Sequence, residues 1–229
     1  MLSISKHEYL QLLKSIKSIL VILFLLGVTY GGIQLTEQFQ GLLTESPTDV
    51  DAMYAVGISF AVLSFGPLFV FSLSHDVFNR EISGRMMRFL VTKTKRTNIV
   101  LGKFVGISMF WLSILVGAFG VIYIFTQSFD VKVFFETVSV VSVFIGMAFV
   151  LSLLVAKPML SMFLGVIIGI VYPAISVWSI FSDSWYIKWF RFLSPYYYIS
   201  EESYLFLVNF GLAALIVFVS TDLFKRRDV

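Results

Sequence analysis

The stretch PMLSMFLGVIIGIVYPAISVWSIFS, from Pro158 to Ser182, runs for 25 residues without an Asp, Glu, Lys or Arg. A helix needs about 20 mainly apolar residues to cross the hydrocarbon core of a bilayer. A helix on the surface of a soluble protein carries a polar face, because one side meets water. This stretch has no such face, so it reads as a membrane span. Five further windows have the same character: Ser18–Thr36, Ala52–His75, Phe104–Phe129, Thr137–Ala156 and Ser203–Thr221. The first is thinned at its far end by Gly31, Gly32 and Gln34. A cleaved signal peptide would need a short basic lead and a small-residue cleavage site. Here the region before the apolar core is 17 residues long and no A-x-A-like site follows, so the first window also reads as a span. The expected fold is an all-α integral membrane protein, one domain over residues 1–229 with six transmembrane helices.

Composition agrees. Hydrophobic residues make up 58% of the chain and charged residues 14%, where a soluble domain carries about a quarter charged. Lys and Arg divide unevenly between the two sets of loops. Fourteen fall in the N-terminal region, the second and fourth connections and the C-terminus, and only Lys132, Lys188 and Arg191 fall in the other set. Basic residues are retained on the cytoplasmic side. The split therefore predicts a multi-pass protein of the cell membrane with both termini in the cytoplasm. The acidic Glu37, Glu45, Asp49, Asp51, Glu201 and Glu202 fall on the outer side.

Several chemistries lack their residues. No cysteine is present, which removes disulfides, thiolate metal sites and a Cys nucleophile. There is no G-x-x-x-x-G-K-[ST] phosphate loop and no H-E-x-x-H. The two histidines, His7 and His75, make a zinc site improbable. No carboxylate, Lys or Arg lies within a window, whereas ion-coupled carriers place such groups in the membrane. A membrane-embedded enzyme is disfavoured for the same reason. Asn209 is the one carboxamide deep in a window, suited to a helix–helix hydrogen bond more than to a substrate path. Gly27/Gly31, Gly102/Gly106 and Gly165/Gly169 are small pairs that let helices approach, and Pro67 and Pro173 can kink their spans.

The segments between windows carry the functional reading. Residues 1–17 predict an interfacial helix, with Leu2, Tyr9, Leu12, Leu13 and Ile16 on one face and His7, Gln11, Lys14 and Lys17 on the other. Residues 37–51 read as an outer loop with turn chemistry at Ser46, Pro47, Thr48 and Asp49. The aromatic stretch from Asp183 to Glu202 holds Trp185, Trp189 and Tyr197 and is split by Pro195. It predicts two short interfacial or re-entrant helices before the last span. The basic connection from Asp76 to Lys103 reads as two short helices around Gly84. Asp76 is the expected cap of the first, and Gly84 permits the break. Met86, Met87, Phe89 and Leu90 are expected on one side of the second, with Arg85 and Arg88 on the other.

The order Glu81-Ile82-Ser83-Gly84, Phe89-Leu90, Arg96, Ile99 and Lys103 resembles the signature of the ABC-type-2 permease family. The ending Asp222-Leu223-Phe224-Lys225-Arg226-Arg227-Asp228 is similar to that family's C-terminus. The family's usual Pro before the Arg is replaced by Thr92-Lys93-Thr94-Lys95, which leaves the end of the second short helix open. The resemblance implies a non-catalytic transmembrane subunit of an ATP-binding-cassette exporter. The segment between spans two and three would be a coupling helix docking on a separate cytoplasmic ATPase, with Glu81, Gly84, Arg85, Phe89, Leu90 and Arg96 in that role. ATP and Mg would sit on the ATPase, this chain holding no cofactor. A second copy or a paralogue would complete the path, membrane lipid would surround it, and no nucleic acid is expected. Phe-rich uncharged walls point to an amphipathic or hydrophobic cargo such as a peptide, drug or lipid. The alternative is a membrane sensor or scaffold without an ATPase.

Overall fold

The computed structural model describes residues 1–43, 47–127, 129–200 and 204–226. Among these there are helices and turns and no strand. In chain order the helices are α1 (Leu2–Leu13), α2 (Ile16–Leu43), α3 (Pro47–Ser74), α4 (Asn79–Ser83), α5 (Met86–Lys93), α6 (Arg96–Thr126), α7 (Val131–Leu154) and α8 (Pro158–Phe181). After α8 come α9 (Trp185–Lys188), a 3₁₀ turn (Trp189–Leu193), α10 (Tyr197–Ser200), a second 3₁₀ turn (Tyr204–Phe206) and α11 (Leu207–Arg226). Six stretches are long and apolar enough to cross a membrane: Ile16–Gln38, Met53–Ser83, Arg96–Thr126, Val131–Leu154, Pro158–Phe181 and Tyr204–Arg226. Each overlaps one uncharged window. The chain has the architecture of a multi-pass membrane protein.

The helices run beyond the windows wherever charged residues extend them. The uncharged run marks the hydrocarbon core, and the helix continues through the headgroup layer. The expected outer loop at 37–51 is therefore mostly helical. α2 reaches Leu43 and α3 opens at Pro47, a residue suited to the first turn because its missing N–H would have no intrahelical partner there. Glu45, Ser46, Glu201, Glu202, Arg227 and Asp228 lie outside the described residues.

α7 is the hub. It packs against α3, α6 and α11, and 72% of its membrane window is buried, against 22% for α8. The outer face of α8 leaves Met159, Phe163 and Phe181 (83%) exposed, a surface that suits lipid and not water. Two of the expected glycine pairs serve packing. A Cβ on Gly165 or Gly169 would meet Phe71 or Leu68 of α3, and one on Gly102 or Gly106 would meet α1. Gly27 and Gly31 face open space instead, and α2 meets α3 at Gly32 and Gly57, where a Cβ on either would lie 3.0 Å from the other's Cα.

The tightest of these approaches yields a prediction. A Cβ at Gly106 would lie 2.6 Å from the Ser5 carbonyl, a backbone atom that can yield only if α1 moves. Gly106→Val is expected to destabilise the protein by about 1–3 kcal/mol, as overpacking does. Gly117→Val, which enters open space, leaves stability nearly unchanged. Thermal unfolding of the two variants in detergent checks the pair; equal midpoints would contradict the α1–α6 packing.

Candidate functional site

The sequence-predicted residues separate into two groups at opposite ends of the bundle. The first surrounds the basic connection. Its backbone is anchored by side chains of the membrane helices. The Ser152 hydroxyl of α7 accepts from the N–H groups of Phe78 (2.9 Å) and Asn79 (3.3 Å) at the start of α4. Ser152 thus does the capping that Asp76 was expected to do, and Asp76 instead lies 3.5 Å from Arg80. The Asn79 amide donates to the Val155 carbonyl (3.3 Å), and Ser161 of α8 donates to the His75 carbonyl (2.5 Å).

The break between α4 and α5 falls at Gly84 and Arg85. The left-handed residue is Arg85, with φ 59°, while Gly84 keeps an ordinary φ of −78°. The role of Gly84 is therefore closeness, since a Cβ there would lie 3.1 Å from the Arg80 carbonyl. α5 ends at Lys93, and Arg96 opens α6. The apolar residues of α5 divide between two faces. Met87 is wholly buried and Leu90 half-buried, three residues apart on one side. Met86 and Phe89 form the next row and face outward, Phe89 being 74% exposed. Arg85 and Arg88 are exposed beside them.

Beneath this helix lies a buried ionic cluster. Lys103 of α6 is 1% exposed, and its Nζ pairs with Glu8 of α1 and, at 2.7 Å, with Glu81 of α4. The Phe78 ring lies 5.8 Å from the ammonium. The other Glu81 oxygen is buried without a hydrogen-bond partner. One ammonium thus joins three elements that are distant in sequence. α1 follows the cluster inward: Ser5, Glu8 and Leu12 are its buried residues, and the Ser5 hydroxyl donates to the Gly102 carbonyl (3.0 Å). Leu2 and Ile16, expected on the apolar face, are exposed. A cavity of about 410 Å³ between α1 and α5 is lined by Glu8, Glu81 and Lys103 together with Met86, Phe89 and Leu90.

Arg96 acts at the same end in a different way. Its guanidinium donates to the Phe224 and Lys225 carbonyls, both at 2.9 Å, capping the C-terminus of α11. A cation there meets the negative end of the helix dipole. The Phe224 ring is buried against Phe78, at 5.5 Å between centroids. The Arg and the terminal Phe of the sequence pattern are thus in contact.

The second group sits at the far end. Helical turns flank Pro195 on both sides, as its position predicted, and Trp185 and Trp189 are exposed. The Tyr197 ring lies 5.7 Å from that of Phe192 and 5.2 Å from the Arg191 guanidinium. The break itself is clipped to three helices. Tyr172 of α8 donates to the Leu193 carbonyl (2.7 Å), and the buried Asn209 amide donates to the Pro195 carbonyl and to Ser139 of α7, both at 3.1 Å. Tyr196 donates to the Leu63 carbonyl of α3 (2.8 Å). Pro67 has no N–H, so the Leu63 carbonyl lacks its usual partner within the helix, and Tyr196 supplies one. Burial pushes the Tyr196 phenol well above its ordinary range, reinforced by nearby Tyr172, which keeps it a donor. Asn209 is in this setting a packing residue between helices.

Sequence reasoning missed Glu8, Ser152, Tyr172 and Tyr196. Glu8 carried a signal, being the only acidic residue before Glu37 and sitting opposite a Gly102-Lys103-x-x-Gly106 run that invites close packing. Among the described residues, no three His, Asp or Glu side chains gather as a metal centre requires. The basic end presents an outward apolar row on α5, and buried charge ties the adjoining α4 to α1 and α6. Neither a protein-family model nor a curated protein matches the chain.

Proposed function

We propose that this chain is the membrane-spanning subunit of an ATP-driven exporter of amphipathic or hydrophobic compounds. The observation that carries the reading is the braced α5 helix at the basic end, with Met86 and Phe89 turned outward. By the distribution of Lys and Arg, that end faces the cytoplasm. An apolar row flanked by Arg85 and Arg88 suits the groove of a soluble partner, with the charges setting register. Force applied to α5 passes to the adjoining α4, and from there to α6 and α1 through Glu81, Lys103 and Glu8. The partner is a cytoplasmic ATPase that binds ATP and Mg, and a second copy or paralogue of this chain completes the path. α1, with Leu2 and Ile16 exposed beside Lys6, Lys14 and Lys17, lies in the inner leaflet boundary. The aromatic turns around Pro195 lie in the outer leaflet and act as the outer gate. The chain itself is non-catalytic.

Phe89→Asp tests this reading. The side chain packs on little within the chain, so the unfolding midpoint is expected to stay within about 0.5 kcal/mol of the unaltered protein, as for most surface changes. A photo-crosslinking amino acid placed at position 89 in native membranes is expected to capture a P-loop ATPase, and Phe89→Asp to abolish export. Capture of a non-ATPase partner, with export unaffected, would move the protein to the sensor or scaffold class.

A further inference from the structure

Two of the uncharged windows end at one cavity. Ser18 opens the first window and His75 closes the second. A cavity of about 240 Å³ is lined by Ser15 and Lys17 at the one end and by His75, Asp76 and Arg80 at the other. It therefore lies where the hydrocarbon core gives way to the headgroup layer, at the basic end of the bundle. Its wall carries both signs of charge. Lys17 is exposed and makes no ion pair among the described residues. Arg80 and Asp76 lie 3.5 Å apart with side chains 42% and 23% exposed, so both are within reach of a ligand. With its amide oxygen turned toward Arg80, Gln11 of α1 accepts from Nη1 and Nη2 at 2.8 and 2.5 Å. This holds the guanidinium across the gap between α1 and α4, and further N–H donors remain on it. Glu8 adds a second carboxylate to the wall, and the buried Leu73 and Ile107 give it an apolar side.

We infer that this cavity binds the headgroup of an aminophospholipid, a phosphodiester that carries a primary ammonium on a short arm. An anion alone would meet Asp76 and Glu8, and a cation alone would meet Lys17 and Arg80. A group bearing both charges lies antiparallel across the Asp76–Arg80 pair. Its phosphate takes Arg80 and Lys17, and its ammonium takes Asp76. Each contact is a charge-assisted hydrogen bond, stronger than a neutral one. Basic pockets between membrane helices at this depth suit lipid headgroups. A quaternary ammonium is recognised by aromatic faces, and no Phe, Tyr or Trp lines this cavity among the described residues. The wall thus favours a primary ammonium over choline. The volume exceeds the roughly 150 Å³ of a cavity that admits benzene. The site rests on the membrane architecture and not on the function proposed above.

The test titrates the whole protein in detergent with phosphatidylethanolamine, phosphatidylcholine and phosphatidylglycerol of identical acyl chains, and native mass spectrometry counts the lipid retained. Phosphatidylethanolamine is expected to bind about tenfold more tightly than either of the others, the difference a charge-assisted hydrogen bond makes. Asp76→Asn is expected to bring it down to the level of phosphatidylcholine. Lys17→Gln, a change at an exposed side chain, is expected to weaken it several-fold with the unfolding midpoint in place. Lys6→Gln, equally exposed on α1 but outside the cavity, is expected to change nothing. Glycerophosphoethanolamine, the same headgroup without chains, is expected to compete far more weakly than the lipid. Binding of that soluble compound as tight as the lipid's would overturn the assignment to a lipid. Equal retention of the three lipids, or phosphatidylethanolamine binding that ignores both Asp76→Asn and Lys17→Gln, overturns the site. Either result would leave the exporter reading intact, because no ATPase takes part in the measurement.

Discussion

Lys103→Met is expected to destabilise the protein by about 3–5 kcal/mol, the cost of stripping the partner from a buried charge pair. Two carboxylates, Glu8 and Glu81, would share a buried space with no cation between them. Both are nearly inaccessible, and Glu81 already has one oxygen without a partner. The loss is expected first where the cluster holds α1 to α6. Trypsin should therefore reach Lys14 and Lys17 sooner in Lys103→Met than in the unaltered protein. A triple variant, Glu8→Leu, Lys103→Met and Glu81→Leu, is expected to recover most of the stability, because removing all the charges also removes their desolvation. Thermal unfolding of the two variants checks the pair. A Lys103→Met midpoint equal to that of the unaltered protein would show that the cluster is no brace.

Tyr196→Phe is expected to cost about 1–3 kcal/mol, because it orphans the Leu63 carbonyl inside an apolar bundle. The same change in a Pro67→Ala background is expected to cost far less. An alanine at that position would restore the helix N–H that proline removes, and the Leu63 carbonyl would again have a partner. The two substitutions should therefore couple by about 1 kcal/mol or more in a double-mutant cycle. Simple additivity would mean that the hydroxyl and the proline do not share that carbonyl. Since burial holds the Tyr196 phenol above its ordinary range, the stabilisation is expected to persist unchanged into mildly alkaline solution.

The spans were legible because their cause is local. An uncharged run long enough for the hydrocarbon core has few alternatives, and Pro158–Ser182 needs no partner to declare itself. The break between α4 and α5 was legible for the same reason, through Gly84 and the charged residues around it. What escaped was decided between distant segments. Ser152 caps α4 across more than 70 residues of sequence. Periodicity assigns Glu8 to neither face of the first helix, and only packing turns it inward toward Lys103. Arg96 belonged to a recognisable pattern, yet its actual partners, the last carbonyls of α11, are set by how two helix ends meet. Polar residues inside a membrane bundle find one another through tertiary packing, and periodicity along one segment does not contain that information.

The same distinction bears on function. The outward row of Met86 and Phe89 comes from spacing along one short helix. Behind it the buried charge ties the adjoining α4 to α1 and α6, and under the function proposed above that tie would carry a load on α5 to both helices.

The most direct test of this account is to purify the chain from its native membranes in mild detergent and measure ATP hydrolysis together with its stoichiometric partners. The account predicts a co-purifying P-loop ATPase with measurable turnover, lost with Phe89→Asp while the unfolding midpoint stays in place. A preparation free of any ATPase, from membranes shown to contain them, would contradict it.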